Sequence, residues 1–181
     1  MPNDPTLFHN KYRIPSTRRI GWDYTWEGFY FVTICTKDKE HYFGEINNGR
    51  MVLSAMGQIV RQEWRQTDRS RTNVTLDAFV IMPNHVHGIV VIKNNGVTGR
   101  DGARPVSTGA KPLPHPGSLS AIVGSFKSSC TKIIHHQFLD EPFAWQSRFY
   151  DHIIRSADEL ERVRLYIQHN PEMWDRDRNG A

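Results

Sequence analysis

The chain lacks the features that mark secreted and membrane proteins. Only two cysteines, Cys35 and Cys130, occur among 181 residues, and both lie in apolar runs. This scarcity argues against a disulfide-stapled fold. No apolar stretch approaches the roughly 20 residues that span a bilayer, and the N-terminus carries no signal-peptide pattern. We therefore expect a cytoplasmic protein with reduced cysteines and no membrane contact.

The chain also has little excess charge of either sign. It contains 23 Lys and Arg against 19 Asp and Glu, which leaves a formal net charge of +4. That balance permits a polyanionic partner without requiring one. Internal repeats are absent, and the 38% of hydrophobic residues is enough to close one core at this length. We predict a single domain over residues 1–181.

Hydrophobic periodicity predicts an alternation of strands and helices. Strands are expected at 29–36, 42–46, 50–53, 74–81, 85–92 and 148–155. The Asn47-Asn48-Gly49 turn makes the second and third of these a small hairpin. Helices are expected at 54–68, at 119–134, and from a capping box at Ser156 to Pro171. This order predicts the α+β class, a mainly antiparallel sheet with helices packed to one side.

One segment, residues 94–117, has the composition of a loop. It contains five glycines and four prolines and few apolar side chains. Such a composition buries too little apolar surface to order itself. We predict a flexible Gly/Pro-rich loop inside the domain.

Two histidines, His85 and His87, begin the strand predicted at 85–92. Side chains at positions i and i+2 of a strand point the same way, so both imidazoles can meet one ion while Val86 faces the other side. For an isolated His-x-His, two solvent-facing polar residues are the simpler interpretation. A ligating imidazole also needs an acceptor for its other nitrogen, which Asp77, Asp151 or a backbone carbonyl can provide.

A second group of polar residues, Tyr166 and Asn170, lies about one helical turn apart near the C-terminus. Tyr166 is either a half-buried aromatic at the border of an amphipathic helix or a nucleophile for a phosphodiester. Asn170 is either an ordinary helix-end residue before Pro171 or a third metal ligand. Two nitrogens and one oxygen donor suit Mg²⁺ or Mn²⁺ better than structural zinc.

These residues resemble a known family, the single-tyrosine HUH transposases (U is a bulky hydrophobic residue), and within it the REP-associated tyrosine transposases of bacteria. The resemblance spans most of the chain and rests on five ordered motifs. They are Gly21-Trp22-Asp23-Tyr24 leading to 31–36, Met82-Pro83-Asn84-His85-Val86-His87-Gly88, Ser125-Phe126-Lys127-Ser128, the run 145–155, and Tyr166-Ile167-Gln168-His169-Asn170-Pro171.

The resemblance implies a ferredoxin-like fold that cleaves and rejoins single-stranded DNA through a covalent 5′-phosphotyrosine. It implies that His85 and His87 are metal ligands for Mg²⁺ or Mn²⁺, that Tyr166 is the nucleophile, and that Asn170 takes the place of the third ligand. Asparagine there, where the insertion-sequence branch usually has glutamine, points to the REP-associated branch and its hairpin DNA substrates. The oligomeric state, monomer or homodimer, stays open.

Under this hypothesis other residues become candidate DNA contacts. Basic side chains for phosphates are Arg18, Arg19, Lys127, Lys132, Arg148 and Arg155. Aromatic side chains for stacking on unpaired bases are Trp22, Tyr24 and Trp26. The alternative for each is a solvated surface or a rim aromatic. The 94–117 loop is either a DNA clamp or a dispensable insertion.

Two rival functions remain at this stage. The first is a noncatalytic nucleic-acid-binding protein on the same scaffold, which would not need the two histidines, Tyr166 and Asn170 together. The second is a histidine-based nucleotide hydrolase, which would want a further histidine at the next alternate strand position. Ile89 stands there.

Overall fold

The computed structural model describes residues 22–93, 115 and 117–176. The elements follow in the order β1 (Gly28–Cys35), β2 (Gly44–Asn47), β3 (Arg50–Leu53), α1 (Ala55–Gln66), β4 (Val74–Ile81), β5 (His85–Ile92), α2 (Leu119–Gln137), β6 (Tyr150–Ile154) and α3 (Ala157–His169). A 3₁₀ helix, Asn170–Arg176, continues from α3. Every strand and helix predicted from periodicity is present, with ends shifted by a few residues.

Four strands form one antiparallel sheet in the order β4-β5-β1-β6. The two central strands, β5 and β1, are therefore those richest in buried apolar residues. Leaving the small β2–β3 hairpin aside, the chain runs β-α-β-β-α-β, and the last strand lies beside the first. This is the ferredoxin-like topology, so the predicted fold class is confirmed.

The two faces of the sheet have different covers. On one face, α1 and α2 pack against alternate residues such as Tyr30, Val32 and Val86. On the other face, α3 packs through Ile167 against a smaller apolar cluster that includes Phe31. The expectation of helices on one side holds for α1 and α2, whereas α3 covers the opposite face.

Gly88 in β5 lets the sheet and α1 approach closely. A Cβ atom at this position would lie 2.3 Å from Cζ2 of Trp64, whose side chain is fully buried. No side chain fits there without displacing the indole. The glycine after the histidine pair therefore reflects packing on the α1 side of the strand.

Serine caps begin the three α-helices, including the cap predicted at Ser156. The Oγ atoms of Ser54, Ser118 and Ser156 accept from backbone N–H groups three residues ahead, at 3.0, 3.3 and 3.2 Å. At α3 the predicted capping box is altered. The Glu159 carboxylate takes the N–H of Arg155 at 2.7 Å rather than that of Ser156.

The hairpin turn adopts the geometry that Asn-Gly favours, with φ of 51° at Asn48 and 71° at Gly49. A Cβ at Gly49 would lie 3.6 Å from Cα of Glu172, so the turn packs on the C-terminal 3₁₀ helix. Within the described residues, no helix is long and apolar enough to cross a bilayer. The predicted loop 94–117 lies outside the described residues apart from His115 and Gly117.

Candidate active site

His85 and His87 lie side by side on the α3 face of the sheet. Their ring centroids are 4.4 Å apart, and both side chains are buried, at 0% and 1% exposure. Val86 between them packs in the core on the other face. The interpretation of the pair as solvent-facing polar residues is therefore wrong, because water is excluded from both rings.

Neutral polar groups hold the Nδ1 atom of each ring. His85 Nδ1 lies 2.7 Å from Oδ1 of Asn84, and Nδ2 of Asn84 donates to the carbonyl of Lys39 at 3.1 Å. That second bond orients the amide so that Oδ1 faces His85, which must then donate from Nδ1. His87 Nδ1 lies 2.9 Å from Oγ1 of Thr33, its cross-strand partner. The Nε2 side of His85 is thus the side with a lone pair for a metal.

The two carboxylates expected in this role are elsewhere. Asp77 lies at a bulge in β4 and binds Arg164 of α3 through both oxygens, at 2.9 and 2.6 Å. Asp151 pairs with Val32 and therefore lies on the α1–α2 face, opposite the histidines. The prediction that either carboxylate orients a histidine is wrong, because a strand register and a bulge direct them away.

Tyr166 projects from α3 onto the histidine pair. Its Oη atom is 3.2 Å from Nε2 of His87, and the side chain is 46% exposed. The ring of Phe31 lies below, 6.0 Å from the ring of Tyr166 and stacked at 5.3 Å on that of His87. The partly exposed phenol of Tyr166 therefore lies directly beside the buried imidazole of His87.

Asn170 lies one turn after Tyr166, at the end of α3, and is 1% exposed. Trp174, a further four residues on, stacks on His85 at 6.0 Å with an interplanar angle of 22°. Tyr166 contacts His87 and Trp174 contacts His85, and Asn170 lies midway between these two residues in the chain. Pro171 does not interrupt this segment, since the chain continues through it as a 3₁₀ helix.

The donor set fits a divalent ion of moderate hardness. Among the described residues no group of three or more His, Cys, Asp or Glu side chains is arranged to hold a metal. The donors that the fold brings together here are two imidazole nitrogens. With the Asn170 amide oxygen as the predicted third ligand, the set would suit Mg²⁺ or Mn²⁺, and it lacks the thiolates of structural zinc sites.

The predicted base-stacking residues are mostly committed to the fold. Tyr24 is 7% exposed and packs in the α1–α2 core beside Tyr30. Trp22 packs against the same core and donates from Nε1 to the hydroxyl of Tyr30 at 3.2 Å. The expectation that Tyr24 stacks on bases is contradicted by its burial. Trp26 is 50% exposed and remains accessible.

The predicted basic contacts divide into three groups. Arg18 and Arg19 lie outside the described residues. Lys127 donates from Nζ to the carbonyls of Gln146 and Arg148, at 2.6 and 3.1 Å, and burial lowers its pKa to about 8. These hydrogen bonds tie the Lys127 ammonium to the segment before β6. They compete with binding of a phosphate by the same group. The exposed members are Lys132, Arg148 and Arg155.

Sequence reasoning missed four residues that shape this site: Phe31, Thr33, Asn84 and Trp174. Thr33 and Asn84 carried no signal of their own, because only the strand pairing and a turn bring them to the imidazoles. Phe31 was visible as an alternate strand residue. Trp174 was missed because the helix was expected to end at Pro171.

Comparisons with known proteins agree with this architecture. No family model matches the chain. An uncharacterized protein of Haemophilus influenzae is 39% identical over 166 residues, which cover 90% of each chain. Among solved structures, a REP-associated tyrosine transposase bound to a REP hairpin has a TM-score of 0.56 at 19% identity, covering 86% of this chain and 73% of that one. A putative transposase from Deinococcus radiodurans R1 has a TM-score of 0.47 at 15% identity, with 83% and 96% covered.

These likenesses carry different weight. Identity of 39% over nine-tenths of both chains shows common descent and a common fold, whereas 19% identity shows the fold alone. The chain therefore belongs to one family with the Haemophilus influenzae protein, and its fold is that of a REP-associated tyrosine transposase.

Proposed function

We propose that this protein is a tyrosine transposase that cleaves and rejoins single-stranded DNA at hairpin substrates, with Tyr166 as nucleophile. The observation that carries the proposal is the 3.2 Å approach of the Tyr166 hydroxyl to Nε2 of His87, beside a buried histidine pair. A partly exposed phenol at that position is accessible to a DNA phosphate. The fold shared with a transposase bound to a REP hairpin supports the same reaction and the same class of substrate.

Cleavage in this proposal is a transesterification. The Oη atom of Tyr166 attacks the phosphorus, the bond from phosphorus to the 3′ oxygen breaks, the phenol gives its proton to water, and the leaving 3′ oxygen takes a proton from water. The products are a free DNA 3′-hydroxyl and a 5′-phosphotyrosine. A 3′-hydroxyl, the same or another, reverses the step and releases the phenol. One phosphodiester is exchanged for another, so no nucleoside triphosphate is consumed.

His85, His87 and Asn170 are the residues that would hold a divalent ion, Mg²⁺ or Mn²⁺. When bound, such an ion neutralises charge on the nonbridging phosphate oxygens. The protein supplies the rest of the geometry. Phe31 supports the Tyr166 ring from below, and the buried faces of the imidazoles keep competing water from the inner side of the site.

The test is formation of a covalent DNA adduct. Purified protein is incubated with hairpin DNA bearing a single-stranded flank and with Mg²⁺ or Mn²⁺, and the adduct is resolved on a denaturing gel. Tyr166→Phe is expected to abolish the adduct while hairpin binding survives. Tyr150→Phe is the matched control, because Tyr150 is the other exposed tyrosine near Phe31, 6.4 Å away, and it should still form the adduct.

Mapping of the DNA-linked peptide completes the experiment. A phosphotyrosine at Tyr166 supports the proposal, and an adduct formed by Tyr166→Phe would refute the assignment. Hairpin binding by wild-type protein without any cleavage in either metal would favour the noncatalytic DNA-binding protein instead. Replacing both histidines by alanine should remove the metal-dependent cleavage.

A further inference from the structure

A basic surface lies where α1 ends and β4 begins. We call Arg65, Arg69 and Arg71 the arginine surface. They line a cleft of about 530 Å³ together with Asp68, Thr72, Val74 and Thr75. The lining therefore contains three guanidinium groups and one carboxylate, and its other side chains are small. None of the three arginines forms an ion pair with any residue that the structure describes.

Local contacts hold two of these three arginines. The guanidinium of Arg65 lies over the ring of Phe79, 5.8 Å from its centroid. Nη1 of Arg71 donates to the carbonyl of Thr67 at 3.4 Å and to Oγ of Ser70 at 3.2 Å. Arg65 and Arg69 are exposed. Cations held in this way lose less side-chain entropy when they meet an anion.

The same end of the sheet carries further groups that suit nucleic acid. Lys93 follows β5, and its backbone N–H donates to the carbonyl of Asn73 at 2.8 Å, which places it beside the start of β4. Trp26 precedes β1, whose first residue Gly28 pairs with Ile92. An exposed lysine therefore lies beside the arginine surface, and a half-exposed tryptophan lies two strands away at the same end of the sheet.

Strand register sets how far the distant end of this surface lies from the histidine pair. Val80 of β4 pairs with His87, and Val74 of β4 pairs with Ile92. Five residues of β5 span this distance, roughly 17 Å at about 3.3 Å per residue, and the bulge gives β4 one residue more. A DNA duplex rises about 3.4 Å per base pair, so the distance equals roughly five base pairs. The guanidinium of Arg65 lies nearer to the pair, over Phe79.

We propose that the arginine surface binds the phosphate backbone of the duplex stem of the hairpin, while the single-stranded foot lies at Tyr166. The inference rests on the proposed function for its substrate class. Guanidinium groups bind phosphate in a fork geometry, and a backbone contact fixes the position of the stem without reading its sequence. The arginine surface then determines where along the DNA the phenol acts.

The test compares two double variants with equal loss of charge. Arg65→Gln with Arg69→Gln removes the exposed part of the arginine surface, and Arg71 is kept because it stabilises the turn at Thr67. Arg50→Gln with Arg162→Gln removes two exposed arginines elsewhere. Hairpin affinity is measured between 50 and 200 mM salt, after thermal melting has established that both variants fold.

Loss of two phosphate contacts lowers the slope of log affinity against log salt by about 1.8, from about 0.9 per contact. Between 50 and 200 mM salt, the fall in hairpin affinity of the Arg65/Arg69 variant should therefore be roughly tenfold smaller than the fall for wild type. The control variant should match wild type. The difference should shrink as the stem is shortened below about five base pairs, because the stem then no longer reaches the distant end of the surface. An unpaired oligonucleotide carrying the cleavage site should be bound and cleaved equally by all three proteins.

Equal salt slopes for the two double variants would overturn the inference. An equal loss of affinity by the Arg65/Arg69 variant for the unpaired oligonucleotide would also overturn it, as would the absence of hairpin binding by wild type. Failure of the proposed function gives a different result. In that case wild type binds the hairpin and forms no adduct, yet the salt slopes still show whether the arginine surface binds the stem.

Discussion

At the scale of single residues, neutral hydrogen-bond partners decide how the two imidazoles are presented. Asn84 is oriented by the backbone carbonyl of Lys39 and accepts a hydrogen bond from Nδ1 of His85, and Thr33 is the partner of His87. Carboxylates in these places would make the rings more basic and bring extra negative charge toward a DNA phosphate. Amide and hydroxyl groups hold the rings without adding charge, which suits a site for a polyanion.

Thr33→Val should loosen the His87 ring and weaken metal binding. The substitution removes the Oγ1 partner at 2.9 Å but keeps the size of the side chain. Loss of such an outer-shell bond typically weakens metal affinity by about 10- to 100-fold. Isothermal titration with Mn²⁺ measures the effect, and hairpin binding without metal should not change. Thr33→Ser, which keeps the hydroxyl, should restore most of the affinity; equal affinity of the valine variant and wild type would contradict this positioning role.

At the scale of elements, α3 is the part that has to be placed correctly, because it carries Tyr166 and leads into Asn170. Three contacts place it: the Ser156 cap, the Ile167 side chain in the small apolar cluster, and the bidentate pair between Arg164 and Asp77. The bulge in β4 between Leu76 and Phe79 turns Asp77 toward the helix. An irregularity in an edge strand thus sets the position of the helix.

Asp77→Asn should destabilise the fold in a pH-dependent manner. Hydrogen bonds from Arg164 hold the pKa of Asp77 below its usual value. A lowered carboxyl pKa contributes stability that is complete above the unfolded pKa of about 3.9 and is lost as pH falls through the lower folded pKa. Thermal unfolding should therefore show a lower Tm for the variant at pH 7 and a shrinking difference below about pH 4.

Arg162→Gln on the exposed side of the same helix is the control for this experiment, and its Tm should follow that of wild type at both pH values. The Asp77→Asn variant should also form less covalent adduct at pH 7, because α3 is held less firmly against β4. A difference in Tm that stays constant down to pH 2 would show that the Asp77–Arg164 pair is not its source.

At the scale of the whole molecule, the candidate site draws together parts that are distant in sequence. The histidines come from β5, Thr33 from β1, Tyr166 from α3, and Trp174 from the C-terminal 3₁₀ helix, on which the β2–β3 turn packs. Such a site exists only in the folded chain. An ion that binds it must therefore stabilise the native state as a whole.

Mn²⁺ should raise the Tm of the wild-type protein. Binding to the native state alone adds about 2.7 kcal/mol at a metal concentration of 100 times Kd. Differential scanning calorimetry with and without metal measures the shift, and the variant with both histidines replaced by alanine should show none. Tyr166→Phe should keep the full shift, because it retains every proposed ligand. A shift in the double-alanine variant equal to that of wild type would place the metal elsewhere.

The sequence by itself determined the features that depend on local spacing. Alternation along β5 put His85 and His87 on one face with Val86 on the other, helical spacing put Tyr166 and Asn170 on one side of α3, and serines marked the helix starts. These follow from strand and helix geometry, which repeats every two or 3.6 residues. The order of the elements was likewise enough for the α+β class, whereas the ferredoxin-like fold was implied by the family resemblance.

Only the tertiary structure decided which side chains meet across the molecule. The sequence suggested Asp77 and Asp151 as partners for the histidines. However, Asp77 lies at a β-bulge and pairs with Arg164, and the strand register puts Asp151 on the opposite face of the sheet. The sequence also suggested Tyr24 as a DNA contact, and core packing buries that ring. A one-residue change of register reverses the face of every following side chain, so contacts between strands depend on long-range pairing that local periodicity does not encode.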